Sequence, residues 1–397
     1  MNIIEKSIEI ARSTDNSYLV QARNNGSRII GHFCSYIPME VIHAAGCVPY
    51  KMRAIGSTGT DMGDVYYAPL NCSFVRHCMN KVLKGDFSFL DGVVFMNGCD
   101  HTRRLYDNWR YSGSKPEFLH MHFVPHIVGS NAMEEYKANI HTLKESLEKY
   151  FHVTITDEKL HASIKLYNDM RHLLKAIDEK RKDRKKISIK GSEMLGLVLA
   201  ISAVPIEIAI EMLKEALVYI DERKAAQSND VRLLVLAGCV EEVEHIKLYE
   251  DAGGAIVADS FCFGSRYYNK QIDESGRPID ALAKGYLDLA LSCPRMMDDY
   301  PRRLANIQAV VGKYSIDAIV VEKLKFCDMW GWEIERLRRE SKKRVIPPVL
   351  AIEREYNGGA TGQVKTRIQA FYEQIRNSME VDYNIERSNR TDYYVRK

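Results

Sequence analysis

Arg28–Phe33 reads RIIGHF and Gly92–Met96 reads GVVFM: short apolar runs with almost no polar alternation. Runs of this length, bounded by Ser, Asn, Asp or Gly, are too short for helices and fit strands buried on both faces, the condition of a parallel sheet. Val48–Met52 and Phe118–Val124 read the same way, while Pro38–Ala45 and Ser73–Leu83 between them carry helical spacing. Alternation of strand and helix predicts a parallel sheet covered on both faces. The expectation is an α/β lobe over residues 1–150.

Outward from that lobe the pattern changes and then returns. After Thr156, a candidate N-cap, apolar residues fall at Leu160, Ile164, Tyr167, Met170, Leu174 and Ile177, steps of three and four that describe one helical face. The basic run Lys180–Lys186 reads as a solvated helix end, and helices follow at Ser192–Ala203 and Ile206–Arg223. This makes residues 151–228 a helical segment. Val231–Leu236, Ala255–Ala258, Ala318–Val321 and Val345–Ile352 again read as strands, and Glu241–Ala252, Asp299–Tyr314 and Gly362–Asn377 as helices, giving a second α/β lobe over 229–379. A polar tail occupies 380–397.

Composition narrows the class of function. The chain has 397 residues, 46% hydrophobic and 27% charged, enough for two or three domains. Lys plus Arg number 56 against 53 for Asp plus Glu, so bulk charge does not suit a nucleic-acid binder. The longest apolar run, Met194–Pro205, is too short to span a bilayer, and Met1–Ser13 carries Glu5, Lys6 and Glu9 instead of a secretory core. A cytoplasmic location with no membrane partner is expected. No GxxxxGK[ST] is present, and Gly358-Gly359-Ala360-Thr361-Gly362 lacks the following lysine, so no ATP site is expected in this chain.

The nine cysteines carry the chemistry. Their odd number in a large chain without an export signal argues against a disulfide framework. Five of the nine, Cys34, Cys99, Cys239, Cys262 and Cys327, fall just past the C-terminal ends of expected strands, the edge where open α/β sheets bind ligands. No CxxC occurs, which excludes zinc ribbons and ferredoxin-type motifs. A thiolate site must therefore be assembled by the fold from both lobes, and such a set, with few paired histidines, suits an iron–sulfur cluster better than zinc. Inert packing thiols remain the alternative reading of the spacing.

Four segments resemble the 2-hydroxyacyl-CoA dehydratase / benzoyl-CoA reductase subunit family. They are Ile37-Pro38-Met39-Glu40-Val41-Ile42-His43-Ala44-Ala45-Gly46-Cys47-Val48-Pro49; Cys72-Ser73-Phe74-Val75-Arg76 with Leu90–Val94 and Cys99-Asp100; Asp259-Ser260-Phe261-Cys262-Phe263-Gly264-Ser265-Arg266-Tyr267; and Lys325-Phe326-Cys327-Asp328 with Gly362–Phe371. Together they run over nearly the whole chain. The resemblance implies two Rossmann-like lobes with a [4Fe–4S] cluster between them, held by three cysteines that correspond to Cys72, Cys99 and Cys327. It also implies a partner, either a homologous subunit or a second copy of the chain, and a separate ATP-dependent activator iron–sulfur protein that delivers low-potential electrons for ketyl-radical chemistry on an acyl-CoA.

Further site expectations follow from that resemblance. Ser35 and Glu40, just past the first strand, are candidates for catalytic contact with substrate, and Arg266 for a CoA phosphate. In a double-cubane branch of the family, which reduces small molecules without CoA, Cys262 would be a further ligand, and Cys34, Cys78 and Cys239 could serve too. Cys47, Cys293 and Trp109 read as packing. The function expected is thus an iron–sulfur subunit of a dehydratase (lyase) or aromatic-ring reductase (oxidoreductase). The alternatives are the double-cubane reductase and a non-catalytic cluster-bearing homologue.

Overall fold

The computed structural model describes residues 1–228, 230–357 and 362–378. The glycine-rich stretch 358–361 and the tail expected at 380–397 lie outside them. Four strands, β1 (Arg28–His32), β2 (Cys47–Lys51), β3 (Gly92–Met96) and β4 (Phe118–His122), form one wholly parallel sheet in the order β2-β1-β3-β4. Its edge strand β2 tolerates Pro49, because an edge strand has one side with no ladder to donate to. After a two-stranded antiparallel ribbon of β5 (Lys186–Ile187) and β6 (Ala226–Gln227), a second parallel sheet follows. It comprises β7 (Val231–Leu236), β8 (Gly254–Ser260), β9 (Ala318–Leu324) and β10 (Val349–Arg354), in the order β10-β9-β7-β8.

The two sheets have the same winding. In each, the first strand steps outward to the second, and the chain then returns past the first to place the third and fourth on the other side. The direction of winding therefore reverses between β1 and β3 and between β7 and β9, which makes two Rossmann-like lobes with equivalent switch points. The expected fold class is the one observed. Strand ends differ where local chemistry decides them. Val345–Ile352 was expected as strand, yet β10 begins at Val349, because Pro347 and Pro348 have no N–H for the ladder.

Helices cover both faces of each sheet, and the chain crosses between lobes to provide them. The helix Asp157–Glu179 is capped by Thr156 Oγ1, which accepts from Lys159 N at 3.4 Å, and buries Leu160, Ile164, Met170, Leu174 and Ile177. With Gly191–Ile201 and Ile206–Glu222 it packs against β7 and β9; the amino-terminal helix Ile3–Ala11 joins the same core. In return, Ile279, Leu282 and Tyr286 from the later part of the chain pack under the first sheet with the helix Ser130–Phe151. Trp109 is fully buried as core. The basic run has one member that is not solvated: Arg181 is buried and paired with Asp178 and Asp259. No helix among the described residues is long and apolar enough to cross a membrane.

Candidate metal centre between the lobes

The carboxyl ends of the switch-point strands face one another. Cys34 follows β1 and Cys99 follows β3; Cys239 follows β7 and Cys327 follows β9, one cysteine after each of the four strands. β9 runs on to Leu324, so Cys327 lies three residues past its end and not the six expected from a strand ending at Val321. These four, with Cys72, Cys262 and Cys293, line one cavity of about 910 Å³, mouth included. Phe33, Phe74, Val75, Met96, Leu324 and Met329 supply apolar walls. Seven of the nine cysteines thus meet at one place, and all nine are free thiols.

Cys72, Cys99 and Cys327 share a local device. Each is the N-cap residue of a helix, Ser73–Leu83, Asp100–Ser112 and Asp328–Lys342 respectively. Three helix amino-termini therefore converge on the cavity, each contributing partial positive charge of about half a unit that favours thiolate or any other anion there. His101 ties the three loops together. Its Nδ1 lies 3.0 Å from Asn71 Oδ1, next to Cys72, and its Nε2 lies 3.2 Å from the carbonyl of Phe326, next to Cys327. Phe326 itself sits at φ +66°, a backbone state an L-residue holds only when its surroundings impose it. Burial pushes the Cys72 and Cys327 thiols up to about 12, and the neighbouring thiols add to the effect.

The other four thiols form a second group on the same cavity, joined to the first where Cys293 also raises Cys327. Each of Cys34, Cys239, Cys262 and Cys293 feels the charge of at least one other member. The mutual effect of the Cys239 and Cys262 thiols holds Cys262 well below the usual thiol range and, with burial, Cys239 well above it. Arg266 and Lys51 lower Cys262 further. Among the described residues no three His, Cys, Asp or Glu side chains stand close enough to share one metal ion. Ligands of a cubane take separate irons, so their sulfurs ring a cavity instead of meeting at a point. Soft thiol donors in a mostly apolar cavity, with three helix amino-termini aimed into it, fit an iron–sulfur cluster.

Comparison with known proteins places the chain in a family. The model of the family "2-hydroxyglutaryl-CoA dehydratase, D-component" matches residues 34–375. The chain belongs to that family. It is 25% identical over 360 residues to one of the subunits of benzoyl-CoA reductase from Thauera aromatica, covering 88% of this chain and 91% of that one. It is 25% identical over 381 residues to the (R)-phenyllactyl-CoA dehydratase beta subunit of Clostridium sporogenes, covering 92% and 97%. A putative dehydratase subunit of Escherichia coli, YjiM, is 26% identical over 384 residues, covering 92% and 96%.

Within this D-component-family chain the remaining expected residues take distinct places. Ser35 stands at the lobe interface, where its Oγ donates to the Cys262 carbonyl at 3.2 Å and accepts from Lys51 Nζ at 2.7 Å. Glu40, expected in catalysis, does not line the cavity. It is fully enclosed, with Oε1 2.5 Å from Arg171 Nη2 and Oε2 accepting from Tyr286 OH at 2.8 Å, an ion pair that fastens the helix Met39–Ala44 to the helix Asp157–Glu179. Arg266, expected at a CoA phosphate, is also buried: Nη2 donates to the Ala237 carbonyl at 2.5 Å and to Cys262 Sγ at 3.4 Å, and the guanidinium lies over the Trp330 ring. It therefore faces a thiol on one side and, on another, lines a separate pocket of about 510 Å³ with Ser260, Arg303 and Trp330. Gly264 of the same segment stands where a Cβ would fall 2.0 Å from Asp259 Oδ1, so only glycine fits.

Two cysteine assignments change and two residues were missed. Cys293 was read as packing, but it lines the cavity; it lies in an irregular stretch that no strand pattern marks. Cys78 is fully buried in the helix Ser73–Leu83, away from the cavity, as Cys47 is in β2. His101 and Lys51 were not assigned roles. The adjacency of His101 to Cys99 was the available signal for the first, and nothing in the sequence marks Lys51.

Proposed function

We propose that this chain is the iron–sulfur subunit of a 2-hydroxyacyl-CoA dehydratase or benzoyl-CoA reductase-type enzyme, working in the cytoplasm with a homologous subunit or a second copy of itself. The observation that carries the reading is the convergence of Cys72, Cys99 and Cys327 on one cavity, each at a helix amino-terminus. These three would hold a [4Fe–4S] cluster. When bound, it supplies the single low-potential electrons that ketyl-radical chemistry on an acyl-CoA requires, delivered by a separate ATP-dependent activator. The chain's own residues do the rest. Phe33, Phe74, Val75 and Met329 keep water away, the helix ends favour negative charge, and His101 holds the three cysteine loops in register.

A second reading, a double-cubane reductase acting on small molecules, is favoured by the second thiol group. Cys34, Cys239, Cys262 and Cys293 exceed what one three-cysteine cubane uses, and they line the same cavity. Anaerobic isolation with iron and sulfide counting tests both. About four irons per chain supports the first reading and about eight the second. A chain that binds no iron after reconstitution refutes both.

A further inference from the structure

Lys51, Arg266 and Arg295 are almost wholly buried around the second thiol group, and none is paired with a carboxylate among the described residues. Lys51 Nζ donates to the Cys262 carbonyl at 2.6 Å and to Ser35 Oγ, and lies 4.9 Å from the ring centres of both Phe263 and Tyr267. Arg266 meets Cys262 Sγ and the Ala237 carbonyl. Arg295, on the cavity wall, donates to the carbonyls of Pro125 and Val124 at 2.8 and 2.9 Å. Other cations of the cavity wall are treated differently. Arg354 is paired with Glu322 at 3.2 Å and Lys323 with Glu353 at 2.6 Å, so each is neutralised where it stands.

A buried cation without a counterion costs several kcal/mol, and neighbouring like charges add to the cost. Carbonyls, a hydroxyl and aromatic faces offset part of it but carry no net negative charge. Arg53, Arg232 and Lys270 are also buried on backbone carbonyls without a carboxylate partner among the described residues, but Arg266 and Lys51 are the ones set against Cys262 of the second thiol group. Resting on the reading that the cavity holds an iron–sulfur group, we propose that Lys51 and Arg266 are positioning residues, the counter-cations of an anionic redox group on the Cys34, Cys239, Cys262 and Cys293 side, and that they raise its reduction potential. Adding an electron adds negative charge, and a fixed cation nearby favours the state with more of it. Lys51 acts through Ser35 and the Cys262 carbonyl, one layer behind the cavity wall, so it touches no substrate.

The test is a redox titration, followed by absorbance and electron paramagnetic resonance, of the anaerobically isolated full chain and of Lys51→Met, Lys51→Arg, Arg266→Met and Arg266→Lys. The expected result is a wild-type iron content in the methionine variants with midpoints shifted to more negative potential, and midpoints near wild type where the charge is kept. Loss of iron in a methionine variant that the charge-keeping partner restores also supports the assignment, because charge is what the pair differs in. Full iron with unshifted midpoints in both methionine variants overturns the inference while leaving the cluster reading intact. Loss of iron in all four variants overturns it as well and assigns these residues to packing. A wild-type chain that takes up no iron refutes the cluster reading, and this inference falls with it.

Discussion

Glu40→Gln separates a catalytic from a structural carboxylate. In the structure Glu40 is fully buried, with one oxygen on Arg171 and the other on Tyr286 OH. Glutamine keeps the shape and one acceptor but removes the charge, so the Arg171 guanidinium, itself wholly enclosed, is left without a counterion. Breaking a buried pair from one side costs about 3–5 kcal/mol, and the retained amide oxygen places this change near the lower end, about 3 kcal/mol. Arg171→Met should cost a similar amount. The double variant should cost clearly less than the two together, because the second change removes the charge that the first strands. Urea denaturation of the metal-free chain reads the stabilities, and iron per folded chain should stay at the wild-type level in all three. A Glu40→Gln chain with the wild-type denaturation midpoint and no activity would refute this reasoning and return Glu40 to the chemistry.

Three further outcomes are expected. Cys99→Ser should lose most of the iron and its visible absorbance while far-UV circular dichroism is unchanged, whereas Cys47→Ala, at a buried strand position, should keep its iron and lose roughly 0.5–3 kcal/mol. Cys34→Ser and Cys239→Ser should lower iron content if two cubanes are present and leave about four irons per chain untouched if the site holds one. His122 is fully buried with neither ring nitrogen partnered, and burial lowers it from 6.5 to about 3. The unfolded chain therefore takes up a proton that the folded chain refuses, so stability is lost as pH falls below about 6.5; relative to His122→Phe, the wild type should lose about 2 kcal/mol between pH 7 and 5. Equal acid sensitivity in the two chains would contradict that account.

Much of the fold was legible because it is written in local periodicity. RIIGHF and GVVFM became β1 and β3, and Ser73–Leu83 became a helix with the expected bounds. Boundaries moved by a few residues where backbone chemistry intervened, as at Pro347 and Pro348. The site was legible only in part. Cysteines after strands could be placed at the sheet edge, since strand direction and winding put that edge in one plane. Cys293 follows no strand and Lys51 lies within one, so neither carried a signal of this kind. Glu40 lies in a segment shared with the family, yet its partner Arg171 is 131 positions away.

By itself, then, the sequence determined the two α/β lobes, the absence of a P-loop motif and the thiols at strand ends, because strand and helix periods and short motifs are properties of neighbouring residues. Tertiary structure decided which thiols meet. Seven do, in two groups of three and four, since the lobes turn equivalent switch points toward each other and the chain crosses between them twice. It also decided that Glu40 and Arg266 are enclosed, and that Lys51 stands uncompensated behind Cys262. Burial and charge pairing are sums over contacts between distant parts of the chain, so no local reading could have supplied them.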